Sequence, residues 1–295
     1  MKRFKYSSNI KAKMPNPANQ TRSQYCYTLG LDINTNSGQG YGPFRLEGER
    51  ALLPYVTSVN IACGMHAGDP VLIETCLNEV KQYGHSLGAL IGLPDMVSLG
   101  HREINLPISE IRSYILFQLG SLYGMAKANG LEITQVRPVG YLYRQMLNDL
   151  RITTAIAKAV AEFDKWLILI GPSSENLVTA GQRADIRVAG EVIIDRVYDA
   201  NLVLLPESHP KAKLKTAVEI ISQANHLINK GEIKVVDGHY LPINYQTIHL
   251  SSQLPDAVNI ANELTKLIPD SVSLNSEPFE IDVYDQLPNY LYDIN

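Results

Sequence analysis

The chain carries a complete strand–helix–strand pattern in residues 58–92, which read SVNIACGMHAGDPVLIETCLNEVKQYGHSLGALIG. The pattern opens with the small apolar run Val59–Cys63, which is typical of a buried strand. Asp69 and Pro70 then favour a helix start, because aspartate caps exposed N–H groups and proline fits the first helical position. A second apolar run closes the unit at Leu87–Ile91. This order and length predict a βαβ crossover between parallel strands.

Two ionisable residues follow the first strand of this unit. His66 lies just past the carboxyl end of the strand, which is the edge where parallel α/β folds place their ligands. Asp69 stands at the N-terminus of the next helix, where backbone N–H groups also gather. Glycines on both sides permit close approach of the backbone. Both residues are therefore candidate site residues; the alternative is that Asp69 is only a helix cap and His66 only a loop residue.

The composition is that of an ordinary globular chain of 295 residues, with 45% hydrophobic and 19% charged residues. A net charge of -4 gives no electrostatic footprint for nucleic acid, and no apolar run reaches the length of a membrane span. The N-terminus lacks the apolar segment of a signal peptide, so we expect a cytoplasmic protein. Cys26, Cys63 and Cys76 form no C-x-x-C pair and predict neither a disulfide framework nor a zinc site.

The two ends of the chain differ in charge from the region between them. Residues 1–24 contain six basic and no acidic side chains, which predicts a basic, solvated tail. Residues 269–295 contain six acidic residues and no Lys or Arg, which predicts an acidic tail. Helix and strand patterns alternate repeatedly between the tails without a convincing linker. Residues 25–268 are therefore predicted to form one α/β barrel-like domain.

A polar segment follows the first predicted strand, Thr28–Ile33. Residues 35–43 read TNSGQGYGP and form a predicted loop rich in glycine and amide side chains. Polar groups directly after a strand suit a binding loop, although a plain glycine-rich connection is the alternative.

Several stretches, taken together, resemble the LamB/YcsF family. The longest is ALLPYVTSVNIACGMHAGDP at residues 51–70, which is similar to the family's motif almost throughout. Shorter similarities follow in the same order: GALIGLPD at 88–95, VRPVGYLY at 136–143, DRVY at 195–198 and TIHLSSQLPDAVNIA at 247–261. The resemblance covers about residues 28–265, so that the two tails fall outside it.

This resemblance implies both a fold and an activity. The implied fold is an irregular (β/α) barrel of the glycoside hydrolase/deacetylase type in a single domain, in agreement with the alternating elements. The implied activity is that of the A component of 5-oxoprolinase, the ATP-dependent opening of the 5-oxoproline lactam to glutamate together with B and C components. This chemistry needs a base that activates water and cations that stabilise the developing oxyanion. ATP is the implied cofactor; no metal site is assigned, and the metal requirement is left open.

The family motifs carry a set of candidate site residues onto this chain. The catalytic candidates are His66, Asp69, Asp32 and Arg137, and the substrate-binding candidates are Asn34, Asn36, Asn60, Arg102, Tyr143, Asp195 and Arg196. Arg137 stands where the family has a lysine, which keeps the charge but changes the shape and the donor geometry.

The chain departs from the family at several motif positions and so resembles a divergent member. Asn36 and Gln39 stand where the family has carboxylates, and an amide can neither carry the charge nor take the proton. Leu90 and Val139 stand where the family has histidines. Residues 251–253, Ser-Ser-Gln, replace a His-Gly-Asp sequence.

Two classes of function stay open on this basis. One is a catalytic lactam hydrolase, in which His66 is the remaining candidate base. The other is a non-catalytic scaffold that keeps the pocket and binds a ligand or B- and C-type subunits. A metal-dependent deacetylase is disfavoured, because Leu90 and Val139 replace candidate zinc-binding histidines. His249 alternates with aliphatic residues in the last strand and is expected to point away from the barrel lumen.

Overall fold

A computed structural model describes residues 31–268; the predicted tails, residues 1–24 and 269–295, lie outside this range. The strands are β1 (Asp32–Ser37), β2 (Ser58–Ala62), β3 (Ser86–Ile91), β4 (Ile133–Pro138), β5 (Ile168–Pro172), β6 (Arg187–Ile193), β7 (Glu232–Lys234), β8 (Tyr240–Pro242) and β9 (Thr247–His249). Strands β1 to β6 and β9 pair in parallel and close into a seven-stranded barrel, in which β9 joins β6 to β1. Strands β7 and β8 form an antiparallel hairpin inside the polar insertion before β9. The predicted α/β barrel is confirmed.

Helices follow most of the barrel strands. They are α1 (Glu49–Leu52), α2 (Pro70–Tyr83), α3 (Ile108–Ala128), α4 (Gly140–Asn148), α5 (Leu150–Phe163), α6 (Glu175–Ala184), α7 (Ala217–Lys230) and α8 (Ala257–Leu267). Apolar side chains from the strands and from the helices meet in one large core. Within the described range, no helix combines the length and the apolar character that crossing a bilayer requires.

Strand β2, helix α2 and strand β3 match the predicted crossover. The Asp69 carboxylate accepts hydrogen bonds from the N–H groups of Val71 (3.0 Å) and Leu72 (2.9 Å) and so caps α2. Gly84 ends the helix with a φ of 73°, in the left-handed region that favours glycine. The apolar face that α2 buries consists of Ile73, Cys76, Leu77 and Val80.

Strand β1 lies further along the chain than predicted. The prediction places a strand at Thr28–Ile33 and a polar loop after it, but the parallel ladder with β2 extends to Ser37. Successive side chains of a strand point to opposite faces. Ile33 joins the main apolar core, whereas Asn34 bonds to side chains of β6 and β9 inside the barrel. The prediction is wrong because it assumes that polar side chains end the strand, whereas here they fill the lumen.

Helix α4 is absent from the predicted elements and begins at Gly140. This glycine has a φ of 62°, and a Cβ atom there would lie 2.1 Å from the carbonyl oxygen of Gly100. The next N–H group, that of Tyr141, donates to the same oxygen at 2.8 Å. Gly140 therefore lets α4 begin directly against the loop that precedes α3.

Gly140→Ala is expected to lower the free energy of unfolding by at least about 2 kcal/mol, because the new Cβ clashes with backbone and the left-handed φ is strained. Gly124→Ala is the matched control, since no atom lies within 4 Å of a Cβ added at this position in α3. That control should be neutral or stabilising by up to about 1 kcal/mol. Urea unfolding followed by circular dichroism measures both changes. Equal unfolding free energies in the two variants would contradict the close contact at Gly140.

Candidate functional site

A cavity of about 850 Å³ opens at the carboxyl ends of the barrel strands. Its inner part is lined by Arg137 of β4 and His249 of β9, and its walls by α4 and by residues 203–207. A volume of this size lies in the range of about 300–1,000 Å³ that is typical of small-molecule sites. Of the predicted site residues, the cavity brings together Asn36, Arg137, Tyr143, Asp195 and Arg196.

A buried ion pair forms the floor of the cavity. Arg137 donates to the Glu191 carboxylate through Nε (2.7 Å) and through Nη2 (2.6 Å), and both side chains are almost fully buried. Burial alone would raise the pKa of Glu191, but the charge and the hydrogen bonds of Arg137 outweigh it and hold that pKa below its ordinary value. The guanidinium carbon of Arg137 lies 5.2 Å from the centre of the Tyr143 ring. The floor therefore carries two opposite charges held in a fixed geometry.

A network of amide side chains supports this pair from within the barrel. Asn34 donates through Nδ2 to Glu191 (2.9 Å) and to the hydroxyl of Thr247 (2.8 Å). The Oδ1 atom of Asn34 accepts from Nδ2 of Asn60 at 3.0 Å. Asp32 lies at the amino end of β1 and accepts hydrogen bonds from Thr247 and from Thr57. Asp32, Asn34 and Asn60 thus lie beneath the cavity floor and do not line the cavity.

His249 points into the barrel, and the prediction that it points away from the lumen is wrong. Its ring is 5% exposed, lines the cavity and lies with Nδ1 at 2.9 Å from Oδ1 of Asn34. Burial, helped by the charge of Arg137, lowers the pKa of His249 to about 3, so the ring is neutral near pH 7. The prediction assumes an apolar lumen, whereas the side of β9 that carries Thr247 and His249 faces polar partners.

The wall of the cavity carries a second buried carboxylate, that of Asp195. Asp195 is 6% exposed, and burial raises the pKa of its carboxyl, although the charge of Lys213 opposes that rise. The neighbouring Arg196 donates through Nε to the Ala212 carbonyl at 3.2 Å and lies 3.6 Å from Glu207. Arg196 therefore braces the segment that covers the cavity, while Asp195 presents an ionisable group to it.

His66 lies outside the cavity lining and is completely buried. Neither of its ring nitrogens has a hydrogen-bond partner among the described residues. A Cβ atom at Gly92 would lie 2.6 Å from its Nδ1 atom, which shows how closely the backbone encloses the ring. Burial lowers the pKa of His66 to about 4. The geometry gives the predicted role of His66 as a catalytic base no support.

Asp69 and Arg102 also lie outside the cavity lining. Besides capping α2, the Asp69 carboxylate accepts from Nη1 of Arg45 at 2.8 Å and from the N–H group of Gly42 at 2.9 Å. The hydrogen bonds from Arg45 and from backbone N–H groups lower the pKa of Asp69 to about 2. Arg102 donates to the buried Asp95 at 2.8 Å. Both residues therefore hold loops at the barrel rim.

Apolar side chains occupy the two positions where the family resemblance leads one to expect histidines. Leu90 and Val139 pack with Ala62 and Ala67 in a small buried cluster, and Leu99 covers it. Val139 and Leu99 also line the cavity, so this side of the cavity offers no proton-transfer group. Between residues 31 and 268, no three His, Cys, Asp or Glu side chains converge as metal ligands.

The buried histidines predict an acid-sensitive fold. Because the pKa of His66 is lowered to about 4, the unfolded chain binds a proton between about pH 6.5 and 4 that the folded chain does not. The free energy of unfolding should therefore fall with falling pH across this window, by up to about 1.4 kcal/mol per pH unit for each such histidine. His66→Gln should flatten the slope, as measured by urea unfolding at pH 6 and 5. The control is His239→Gln, whose side chain is 80% exposed; a slope equally changed by it would contradict the assignment to His66.

Glu191 and Lys213 are cavity groups that the sequence analysis misses. Glu191 has a detectable signal, because it is an ionisable residue inside the otherwise apolar run Val188–Ile194. A charge in a buried strand requires a partner. Lys213 has no such signal, since it lies in a polar, irregular segment and reaches the cavity only through the fold.

Comparisons with known proteins agree with the fold and with the order of the motifs. The LamB/YcsF family model matches residues 31–279. The chain is 39% identical to the A component of 5-oxoprolinase from Methylococcus capsulatus over 234 residues, which cover 79% of this chain and 90% of the relative. It is 32% identical to the corresponding 5-oxoprolinase component of Pyrococcus abyssi over 242 residues, 82% of this chain and 95% of the relative. The crystal structure of a lactam utilization protein from Thermus thermophilus is similar with a TM-score of 0.75 and 31% identity, covering 80% of this chain and 95% of that one.

Proposed function

Because the chain belongs to the LamB/YcsF family, we propose that it is the A-type component of an amide hydrolase that opens the ring of 5-oxoproline, with the cavity as its substrate site. One observation carries this proposal: a single cavity combines a buried guanidinium, that of Arg137, with a buried carboxylate, that of Asp195. Hydrolysis of an unreactive amide needs a group of each kind, one for the developing oxyanion and one for the proton. The relatives are named as one lettered component of 5-oxoprolinase, which supports the existence of partner subunits.

The geometry favours Asp195 as the base in this proposal, in place of His66. The Asp195 carboxylate takes a proton from a water molecule, whose oxygen attacks the lactam carbonyl carbon. The ring C–N bond then breaks, and the proton passes to the ring nitrogen, which becomes the amine of glutamate. Burial raises the pKa of Asp195, which makes its carboxylate a stronger base than an exposed one. Arg137 donates to the carbonyl oxygen while negative charge develops on it.

The cavity offers ATP a poor fit as far as residues 31–268 show. Arg137 is paired with Glu191, and the guanidinium groups of Arg144 and Arg196 bond to backbone carbonyls. Among the cations that line the cavity, Lys213 alone forms no side-chain hydrogen bond or ion pair within this range. A triphosphate needs several converging cations or backbone N–H groups, and this set does not supply them. No step proposed for this chain therefore passes through ATP, and we assign the nucleotide dependence to the assembly with B- and C-type subunits.

The test is release of glutamate from 5-oxoproline by the purified chain mixed with B- and C-type 5-oxoprolinase subunits and ATP. We expect turnover by the complete mixture and none when this chain is omitted. Asp195→Asn serves as the inactive reference and His66→Ala as a second variant outside the cavity. The complete mixture failing to exceed the Asp195→Asn reference would refute the proposal.

A non-catalytic scaffold is the second candidate function, and one observation favours it. Leu90 and Val139 place an apolar cluster where the family resemblance leads one to expect histidines. A scaffold of this kind binds the ligand or the partner subunits without turnover. Calorimetric titration of the chain with 5-oxoproline, alongside the turnover assay, separates the two candidates: binding without turnover favours the scaffold, and binding with turnover excludes it.

A further inference from the structure

The cation on the cavity floor is matched by a carboxylate directly behind it. Arg137 and Glu191 are 3% and 1% exposed, so water screens neither charge effectively. Their two hydrogen bonds use Nε and Nη2 of Arg137, and Nη1 takes part in neither. Glu191 also accepts from Asn34, which fixes the carboxylate from the other side. The pair is therefore held rigidly, with one guanidinium nitrogen left for a ligand.

An isolated buried guanidinium attracts anions strongly, because the interaction between charges grows as the local dielectric constant falls. A guanidinium paired at hydrogen-bond distance behaves differently, since the two opposite charges cancel at the distance of a ligand atom. What remains is an oriented N–H donor. Such a donor can bond to a neutral carbonyl oxygen, but it gives a carboxylate or a phosphate little net attraction.

We propose that Glu191 is a specificity residue, which neutralises Arg137 so that the cavity floor accepts the carbonyl oxygen of a neutral cyclic amide and disfavours an anionic group. An anionic substituent of the ligand, such as the carboxylate of 5-oxoproline, then lies toward the wall that carries Lys213. The inference rests on the proposed function only in taking the cavity as the ligand site. It adds which face of the ligand meets which wall.

Binding measurements test this inference without any turnover. The full chain is titrated calorimetrically with 2-pyrrolidinone, a neutral lactam, and with inorganic phosphate, alone and in competition. We expect the natural chain to bind the lactam and to bind phosphate at the floor weakly or not at all. Glu191→Gln should bind phosphate at least about tenfold more tightly, in competition with the lactam, because it unmasks the charge of Arg137.

Glu207→Gln is the matched control, since it removes a carboxylate that also lines the cavity but pairs with Arg196 instead. It should change the phosphate affinity far less than Glu191→Gln does. An equal gain in both variants would overturn the inference, because it would show a general charge effect.

The double variant Arg137→Gln, Glu191→Gln keeps the test decisive if Glu191→Gln alone does not fold. It leaves no buried charge unpaired and should bind phosphate no better than the natural chain. Phosphate that binds the natural chain in competition with the lactam, and no longer binds the double variant, would overturn the inference. Loss of turnover with this binding pattern intact would instead refute the proposed function and leave the inference standing.

Discussion

Asp195→Asn is expected to lower the rate of 5-oxoproline ring opening in the assembled enzyme by about 10²–10⁴-fold, the usual effect of losing a general base. Asparagine keeps the size of the side chain but cannot take a proton from water. Asp195 is buried in the cavity wall, so no bulk buffer base can occupy its place. Initial rates of glutamate release, measured at saturating 5-oxoproline, give the size of the loss.

The control for this variant is its affinity for 5-oxoproline, which calorimetry measures separately from the rate. The affinity should change only a few-fold, because the amide retains most contacts of the carboxylate. Rates within tenfold of the natural chain would show that another group activates the water. His66→Ala in the same assay shows whether that group is the buried histidine, for which we expect no proton-transfer role.

Arg137→Met is expected to lower the free energy of unfolding by about 3–5 kcal/mol, because it leaves the Glu191 carboxylate buried without its partner. In this variant the pKa of Glu191 should rise well above its ordinary value. A raised folded-state pKa means that stability is kept at low pH and is lost as the pH rises. The destabilisation should therefore be largest near neutral pH and smaller near pH 5, which urea unfolding at the two pH values measures.

The double variant Arg137→Met, Glu191→Leu separates loss of charge pairing from loss of packing. Apolar replacement of a whole buried ion pair is often close to neutral, so the double variant should recover more than half of the loss. Asn34 and the other bonded amides limit the recovery, since Asn34 loses one of its acceptors. A double variant less stable than Arg137→Met would show that the floor acts through packing and not through charge.

The barrel could be predicted from the sequence because its outer layer follows ordinary rules. The helices bury faces at regular spacing, as Ile73, Leu77 and Val80 do in α2, and capping residues mark where the helices begin and end. The βαβ unit at 58–92 adds the parallel direction of the strands. These signals are local, and the chain alone contains them.

The inside of the barrel could be predicted only in part. The motif positions Arg137, Tyr143 and Asp195 do meet in the cavity, but Arg137 and Glu191 are 54 positions apart, and no local pattern announces their pairing. Polar alternation in β1 favours a loop only as long as the barrel interior is assumed to be apolar. The prediction for His249 is wrong for the same reason. A lumen filled with amides and charges reverses the usual rule for which side of a strand faces inward.

Strand β9 contains three residues and yet completes the barrel by pairing with both β6 and β1. It also supplies Thr247 and His249 to the network under the cavity. During translation, a ribosome has therefore synthesised the other six barrel strands before the closing strand exists. A nascent chain that stops short of it holds six strands with two open edges and an unfinished floor. Premature release would thus produce a sticky fragment without a ligand site, and cellular quality control would meet it as such.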